Sequence, residues 1–204
     1  MINSVEKYGG YYIGRYETGD DYTHSSSKKC FTNPKIVRYN SNIAYVTWYD
    51  SYKDLQRLSG KTDKYVETGM LYDTMWDYTL KWLQETDTRS YKEINKDSGT
   101  WGNYNNNTKT TQSGGTRPAR TGAIETITYK GEIYNNSPTA SNNIFDIAGN
   151  ADDWTRSRDN TLYRRSRGGN YNNNSSNDPA RDVNNYNPYS SGSNVGVRGQ
   201  LYIL

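Results

Sequence analysis

The side chains that carry out most covalent and metal chemistry are scarce in this chain. Its 204 residues include one cysteine, Cys30, and one histidine, His24. A single cysteine excludes an internal disulfide framework, a cysteine-based zinc site and any mechanism that needs two thiols of this chain. His24 stands in a polar Ser/Thr segment. We expect it at the surface, and membership of a catalytic dyad or triad is the less favoured alternative.

A second group of residues suits recognition rather than covalent chemistry. Residues 170–194 contain nine Asn, five Ser and three Tyr, and they contain no Lys, Glu, Gln, Met or Trp. Antibody loops favour the same types, because rigid amphipathic rings combine there with adaptable hydrogen-bonding groups. We expect Tyr171, Tyr186 and Tyr189 to anchor a binding surface. The side chains expected around them are Asn170, Asn172, Arg181, Asp182, Asn184, Asn185, Asn187, Ser190 and Ser191. The alternative is a solvated, irregular loop.

The overall composition is polar without being that of a disordered chain. The mean hydropathy is −1.10 and only 32% of the residues are hydrophobic, yet the chain has 21 Tyr and five Trp. Disordered chains are poor in aromatic residues. A tyrosine ring buries a large area and keeps a polar tip, so we expect a core built on tyrosine. The length suits a single domain over residues 1–204.

Charge and hydropathy argue against two kinds of partner. The 25 basic and 22 acidic residues give a net charge of +3, which does not suggest a nucleic-acid binder. The one dense basic run, "RSRDNTLYRRSR" (156–167), is interpreted as a solvated pair of strands. Neither a signal peptide nor an apolar run long enough to span a bilayer is found, so no membrane insertion is expected. The chain is either a small complete protein or a domain of a longer one.

Two helices are predicted. One lies within "NIAYVTWYDSYKDLQRLSG" (42–60), and its candidate capping residues are Thr47, Asp50 and Ser51. The other is "YDTMWDYTLKWLQET" (72–86), in which apolar residues recur at helical spacing. Trp76 and Trp82 are both expected to anchor the face of this helix that packs on the core.

Short strands are predicted along the rest of the chain. The N-terminal "MINSVEKYGG" is expected to lead directly into strand-like sequence. "AIETITYKGEIYNN" (123–136) is expected to form a hairpin, and "VGVRGQLYIL" (195–204) a closing strand. Residues 98–122 are predicted to form a polar insertion loop, since a loop of this length is usually functional or mobile. The predicted fold class is α+β, with two helices and many short, irregular strands.

The order of the motifs resembles a known family. "YYIGRYETG", "YVTWYDSYKDL", "GMLYDTMWDYTLKWL", "NIFDIAGNADDWT", "YRRSRGG" and "GVRGQLYI" follow one another over nearly the whole chain. Each motif alone is weakly specific, but their order is similar to that of the formylglycine-generating-enzyme/sulfatase-modifying-factor domain. This domain is a variant of the C-type lectin fold. The resemblance implies that fold, with short, irregular antiparallel strands.

Departures from the family pattern bear on activity. The enzymes of the family oxidise a substrate cysteine with a copper-binding pair of cysteines that follows the "RGG" motif. The resemblance places Asn173 and Asp178 at those positions, and neither side chain replaces the thiolates that hold Cu(I). Other relatives hold iron through histidines and a carboxylate, which a chain with one histidine does not support. We therefore expect a protein that is not an enzyme.

The resemblance also implies a calcium site. The family motif G-N-V-W-E-W is altered here to "GNADDW", and Asn150 and Asp153 stand at the positions of calcium ligands, with Asp for Glu. The shorter carboxylate still suits Ca²⁺. The favoured alternative is a turn held by the side chains of Asn150 and Asp152. No cofactor other than this structural calcium ion is expected.

The C-type lectin fold also occurs in variable proteins that retroelements diversify, in phages and in some bacteria and archaea. In those proteins the last part of the fold carries a mutable surface, which corresponds here to residues 167–199. Diversification rewrites adenines, mostly in AAY codons for Asn. Such codons cannot become codons for Lys, Glu, Gln, Met or Trp, and these five types are absent from residues 170–194. The composition is therefore consistent with diversification.

The leading hypothesis is a non-enzymatic, phage-associated ligand- or receptor-binding protein that resembles the retroelement variable proteins. Its expected partner is a protein or glycan on a host or target surface, and its expected location is the virion (the phage tail) or the bacterial cell surface. A homo-oligomer would multiply a weak single-site affinity. The alternatives are an oxidoreductase like the formylglycine-generating enzymes, and a structural phage or surface component without a specific ligand.

Overall fold

Four helices lie in the part of the chain that the structure describes. The computed structural model describes residues 2–20, 30–36, 44–58, 64–106, 126–129, 132–135, 140–159 and 162–204. Its helices are α1 (Ile2–Tyr8), α2 (Trp48–Leu55), α3 (Asp73–Glu85) and α4 (Tyr91–Asn95). Helices α2 and α3 confirm the two predicted helices. The prediction of only two is wrong, since α1 and α4 are additional.

Helices α1 and α4 have local causes that the amino-acid pattern contains. Helix α1 ends at Gly9, which has a φ of 78°, a conformation that glycine adopts without steric cost. Residues 2–8 are thus helical, which was not predicted, and the expected strand begins only at Tyr12. Helix α4 starts with a capping box, in which Ser90 and Glu93 each accept a hydrogen bond from the other's backbone N–H.

Helix α2 begins at one of the three candidate caps. The Thr47 hydroxyl accepts a hydrogen bond from the backbone N–H of Asp50 at 3.1 Å, so Thr47 is the N-cap. Along the next helix, α3, the buried face consists of Asp73, Met75, Trp76, Thr79, Leu80 and Leu83. Trp82 lies at the edge of this face and is 43% exposed. The prediction that both tryptophans anchor the core is therefore wrong for Trp82.

Eleven short strands are described. They are β1 (Tyr12–Ile13), β2 (Val66–Met70), β3 (Thr126–Tyr129), β4 (Glu132–Asn135), β5 (Ala140–Ser141), β6 (Ile144–Phe145), β7 (Asp152–Arg158), β8 (Arg164–Arg167), β9 (Val183–Tyr186), β10 (Val195–Val197) and β11 (Gly199–Ile203). Helices and strands are mixed along the chain, and the α+β class is confirmed. The predicted hairpin is also present, because β3 pairs with β4 in antiparallel orientation.

The strands form two sheets and two hairpins. One sheet has the order β1-β11-β2 and the other has the order β10-β7-β8-β9, while β3-β4 and β5-β6 are two-stranded. Strand β10 runs parallel to β7, so the expectation of antiparallel strands is wrong for this pair. The predicted closing strand is divided at Arg198, so that β10 and β11 belong to different sheets. The Arg198 guanidinium is fully buried and bonds the Gly14 carbonyl at 2.9 Å.

The core is built on tryptophan more than on tyrosine. Trp76, Trp101 and Tyr104 belong to the larger cluster, which lies against α3. The second cluster, which includes Trp48 and Trp154, packs between α2 and the four-stranded sheet. Many tyrosines lie at the surface, with Tyr12, Tyr65, Tyr78, Tyr91 and Tyr189 more than half exposed. The expected tyrosine core is therefore present only in part.

Two further predictions need correction. The basic run 156–167 does contain a strand pair, but one of its arginines, Arg167, has a side chain only 4% exposed and pairs with Asp77. The predicted loop 98–122 covers two different regions. Its first residues, up to 106, are described and carry Trp101 and Tyr104 into the core, whereas residues 107–122 lie outside the described residues.

Within the described parts of the chain, no helix has the length and apolarity needed to cross a membrane.

Candidate functional site

Residues 170–194, called the display tract below, have a defined backbone. The tract leaves β8 through Gly168 and Gly169, which have φ values of 96° and 73°. A side chain on Gly169 would collide with the carbonyl of Asp178, so the left-handed turn brings two parts of the tract into close approach. The tract contains β9, which pairs with β8, and it ends where β10 pairs with β7. The backbone of the tract is therefore not irregular throughout, and display of a ligand stays a prediction.

A buried carboxylate under the tract receives hydrogen bonds from three of its side chains. Asp152, in β7, is fully buried. It accepts bonds from Asn170 Nδ2 at 2.7 Å, Asn184 Nδ2 at 3.2 Å and Tyr186 Oη at 3.1 Å. The tract is thus fixed to the sheet by polar contacts, which are strong where water is excluded.

A second carboxylate extends this network within the tract. Asp178 accepts hydrogen bonds from Asn184 Nδ2 at 3.0 Å and from Asn173 Nδ2. The charge of Asp178 also acts on the neighbouring carboxyl group of Asp182.

The environment raises two pKa values in this network. Burial, together with the charge of Asp178, raises the pKa of Asp152 to about 7. Burial and the neighbouring Asp178 raise the pKa of Asp182 to about 7 as well. Tyr186 donates to Asp152, and its pKa is raised by burial and by that carboxylate. Asp152 and Asp182 therefore hold their protons to a higher pH than ordinary aspartates do.

Asn173 and Asp178 stand at the positions that the family resemblance assigns to two copper-binding cysteines. Their side chains are in contact, because Asn173 donates a hydrogen bond to Asp178. An amide and a carboxylate are hard donors that do not suit Cu(I), and Cys30 is exposed. The described residues at this place therefore do not fit a copper centre.

The side chains of the tract divide into three sets by exposure. Asn170, which is 1% exposed, lies beneath the surface and supports it by bonding Asp152. Partly buried are Tyr171, Asp182, Asn184, Tyr186 and Ser191, and exposed are Asn172, Arg181, Asn185, Asn187, Tyr189 and Ser190. Of the three predicted tyrosine anchors, only Tyr189 is mainly exposed, at 70%. Tyr186 instead contacts Trp154 edge-on, with ring centroids 5.8 Å apart.

Two residues outside the tract extend its aromatic surface, and the sequence analysis did not single them out. Tyr49, in α2, is 42% exposed and its ring centroid lies 4.8 Å from that of Tyr189. Tyr45 packs with Tyr171 on a small cluster at Ala44 and Ala151. Only the fold brings residues 45–49 beside the tract. The aromatic richness of "YVTWYDSY" is the one signal that could have indicated them.

The predicted calcium ligands have protein partners. Asp153 is buried and bonds the Arg198 Nε at 3.1 Å, so a cation already neutralises it. Asn150 Oδ1 accepts a bond from Asn103 Nδ2 at 3.0 Å, and its Nδ2 donates to Glu17. Among the described residues, no group of three His, Cys, Asp or Glu side chains could hold a metal ion. Asn150 Oδ1 and one oxygen of Asp153 are therefore engaged by protein groups, while Asp153 Oδ1 is buried without a hydrogen-bond partner. Calcium binding by these residues stays a prediction.

Burial is the main cause of the raised pKa values around the Asp153–Arg198 ion pair. Burial raises the pKa of Asp153 to about 6, although Arg198 opposes the shift. The pKa of Glu17 is raised by burial and by the nearby Asp153 and Asp146. The alternative interpretation of Asn150 as a turn residue agrees with its φ of 67°. Asp152, by contrast, bonds the tract and does not hold that turn.

Solved structures that are similar to this chain include the following two. One is described as Treponema denticola variable protein 1; it has 13% sequence identity and a TM-score of 0.49, over 87% of this chain and 76% of that chain. The other is described as the crystal structure of CarF, with 13% identity and a TM-score of 0.48, over 82% of this chain and 68% of that chain. One of the two is described as a variable protein, the kind of protein that the end of this chain resembles. No protein-family model and no curated protein matches the chain.

Proposed function

We propose that this chain is a non-enzymatic ligand-binding protein with a C-type lectin fold, and that the display tract is its binding surface. One observation carries the proposal: the exposed side chains of the tract stand on a backbone held by buried contacts. Asn170, Asn184 and Tyr186 tie the tract to Asp152. A preorganised backbone lowers the entropy cost of binding.

The exposed residue types suit recognition. Tyr49 and Tyr189 form a ring pair at the surface, and aromatic residues supply much of the binding energy at protein interfaces. Asn172, Asn185 and Asn187 are exposed around the same tract and offer donors and acceptors. The ligand is a protein or a glycan on a host or target surface.

Binding is tested with an array of host-surface proteins and glycans, probed with the native chain and two variants. Tyr189→Ala should weaken binding at least about tenfold, as expected of an interface anchor. Tyr78→Ala is the matched control, because Tyr78 is 65% exposed on α3 and Tyr189 is 70% exposed. Absence of any ligand for the native chain, or equal effects of the two variants, would favour a structural component.

We further propose that a retroelement diversifies the tract. The support is compositional: five residue types that AAY codons cannot reach are absent from residues 170–194. The coding sequence tests this directly. A near-copy of the gene segment with adenines at the variable codons, beside a reverse transcriptase gene, is expected. If both are absent, diversification is excluded while ligand binding stands.

A location on a phage tail or a bacterial cell surface, and assembly into a homo-oligomer, belong to the same proposal. Several copies of the tract on one particle would raise avidity for a repetitive target. Light scattering measures the oligomeric state, and antibody labelling of virions or cells locates the protein. A protein that is monomeric and absent from both surfaces would contradict this part of the proposal.

A further inference from the structure

Two arginines face each other across the β7–β8 pair. Arg158 lies directly opposite Arg164 in the antiparallel register. Like charges at directly opposed positions of a β-sheet repel and destabilise the pair. A like-charge pair is therefore expected to be compensated by a group of opposite charge.

Neither arginine has a carboxylate partner among the described residues. Two neighbouring arginines of β8 do have such partners, since Arg165 pairs with Asp73 and Arg167 pairs with Asp77. Arg164 Nε is buried and has no hydrogen-bond partner, while Arg158 is exposed. Compensation by the described part of the protein is thus lacking at this pair.

Aromatic rings hold Arg164 in place. Its guanidinium lies 4.3 Å from the ring centroid of Trp48, and Trp48 is stacked on Tyr52 at 5.2 Å with an interplanar angle of 9°. On the same aromatic group, Arg156 lies 5.2 Å from the ring centroid of Tyr52. Cation–π contacts fix a guanidinium while leaving its N–H edge able to bond an oxyanion.

The same rings are poorly suited to binding nucleic acid. Single-stranded nucleic acids stack their bases on free aromatic faces, whereas Trp48 is only 8% exposed and is covered by Tyr52 and Arg164. The chain also lacks a large basic excess, with a net charge of +3. An oxyanion-bearing polymer without aromatic bases fits this surface better.

We propose that Arg158 and Arg164 form an oxyanion site for the carboxylate or sulfate groups of an acidic polysaccharide. The site goes beyond the proposed function, because both arginines lie outside the display tract. It adjoins the tract, since Arg164 is directly opposite Tyr186 in the register of β8 and β9. Each guanidinium carries a positive charge that attracts the anion.

The test measures binding of the whole chain to heparin, which carries sulfate, and to polygalacturonate, which carries carboxylate. Native protein should bind at least one of them, and binding should weaken as salt is raised. Arg158→Gln should lower the affinity about tenfold, because a charge-assisted hydrogen bond is lost. Lys81→Gln removes the same charge from an exposed position on α3, and its effect should stay within about twofold.

Three results would overturn the proposal. They are no binding of either polymer by the native chain, equal effects of Arg158→Gln and Lys81→Gln, and tighter binding of single-stranded DNA than of both polymers. Arg158→Lys keeps the positive charge but loses the planar guanidinium that can bond an oxyanion through two N–H groups. This variant should therefore retain only part of the affinity. Arg158→Gln should leave binding to the array of host-surface proteins unchanged, because Arg158 lies outside the display tract, so failure of this site and failure of the display tract are distinguishable.

Discussion

The hydroxyl group of Tyr186 donates a hydrogen bond to the buried Asp152 at 3.1 Å. This contact joins β9, in the middle of the display tract, to β7, in the sheet beneath it. It makes Tyr186 a support of the surface rather than an exposed anchor. The contact can be removed without changing the ring, which makes it a direct test of how the tract is held.

Tyr186→Phe should lower the free energy of unfolding by about 1 kcal/mol, the usual net contribution of one hydrogen bond. The edge contact with Trp154 is kept, and Asn170 and Asn184 still bond Asp152. Urea unfolding followed by tryptophan fluorescence measures the change. Tyr189→Phe is the control, and it should have almost no effect because Tyr189 is 70% exposed. Equal losses in both variants would contradict the assigned role of Tyr186.

Stability should fall as the pH rises from about 4 towards 7. The folded protein holds protons on Asp152 and Asp182 up to a pKa of about 7, whereas the unfolded chain releases them near the ordinary aspartate pKa of 3.8. Between these values the folded state binds more protons, so rising pH favours unfolding. The pKa values of Glu93 and Asp97 are lowered by hydrogen bonds from Ser90 and Ser175, respectively. These two groups make the protein more stable as the pH rises, but only in more acid solution, where they titrate.

Chemical denaturation at a series of pH values between 5 and 8 measures how the free energy of unfolding changes with pH. Asp182→Asn should reduce this pH dependence, because an amide does not titrate. Asp50→Asn provides a comparison at a carboxylate outside the network. A stability that is constant or increases over this pH range would show that the buried network does not hold its protons as described.

Gly169→Ala should destabilise the protein by about 2–4 kcal/mol, since a Cβ would both strain a left-handed residue and collide with backbone. The φ of Gly169 is 73°, and the colliding atom is the carbonyl oxygen of Asp178. Gly10→Ala is a matched control, because a Cβ there meets no atom within 4 Å. Thermal unfolding compares the two. A tolerated alanine at position 169 would mean that the tract backbone is not constrained.

Calcium should not change the melting temperature. A ligand stabilises a protein only if it binds the folded state more tightly than the unfolded state, and Asp153 already pairs with Arg198 in the core. Thermal unfolding with added calcium chloride should therefore match unfolding with a chelator. A calcium-dependent rise in the melting temperature that Asp153→Asn abolishes would restore the calcium site.

Local sequence patterns correctly predicted the elements that depend on interactions between residues close together in the chain. Helix α3 follows from apolar spacing, α2 from the apolar residues after its Thr47 cap, and the β3–β4 hairpin from its strand and turn pattern. Trp82 was wrongly predicted to be buried. Helical spacing identifies an apolar stripe along the helix, but it does not show which residues at the edge of the stripe are exposed to solvent. The capping box of Ser90 and Glu93 was also readable, so α4 was predictable in principle.

The sequence by itself determined that the chain has a single cysteine and a single histidine, an aromatic-rich polar composition and an Asn/Tyr/Ser tract near its end. It thereby indicated recognition rather than thiol chemistry. The tertiary structure alone decided that Asp152 lies under the tract, that Tyr49 lies beside Tyr189, and that the closing strand divides between two sheets. These contacts join residues far apart along the chain, as in the 34-residue separation of Asp152 and Tyr186. Local propensity carries no information about such pairings, because they form only when distant elements pack against one another.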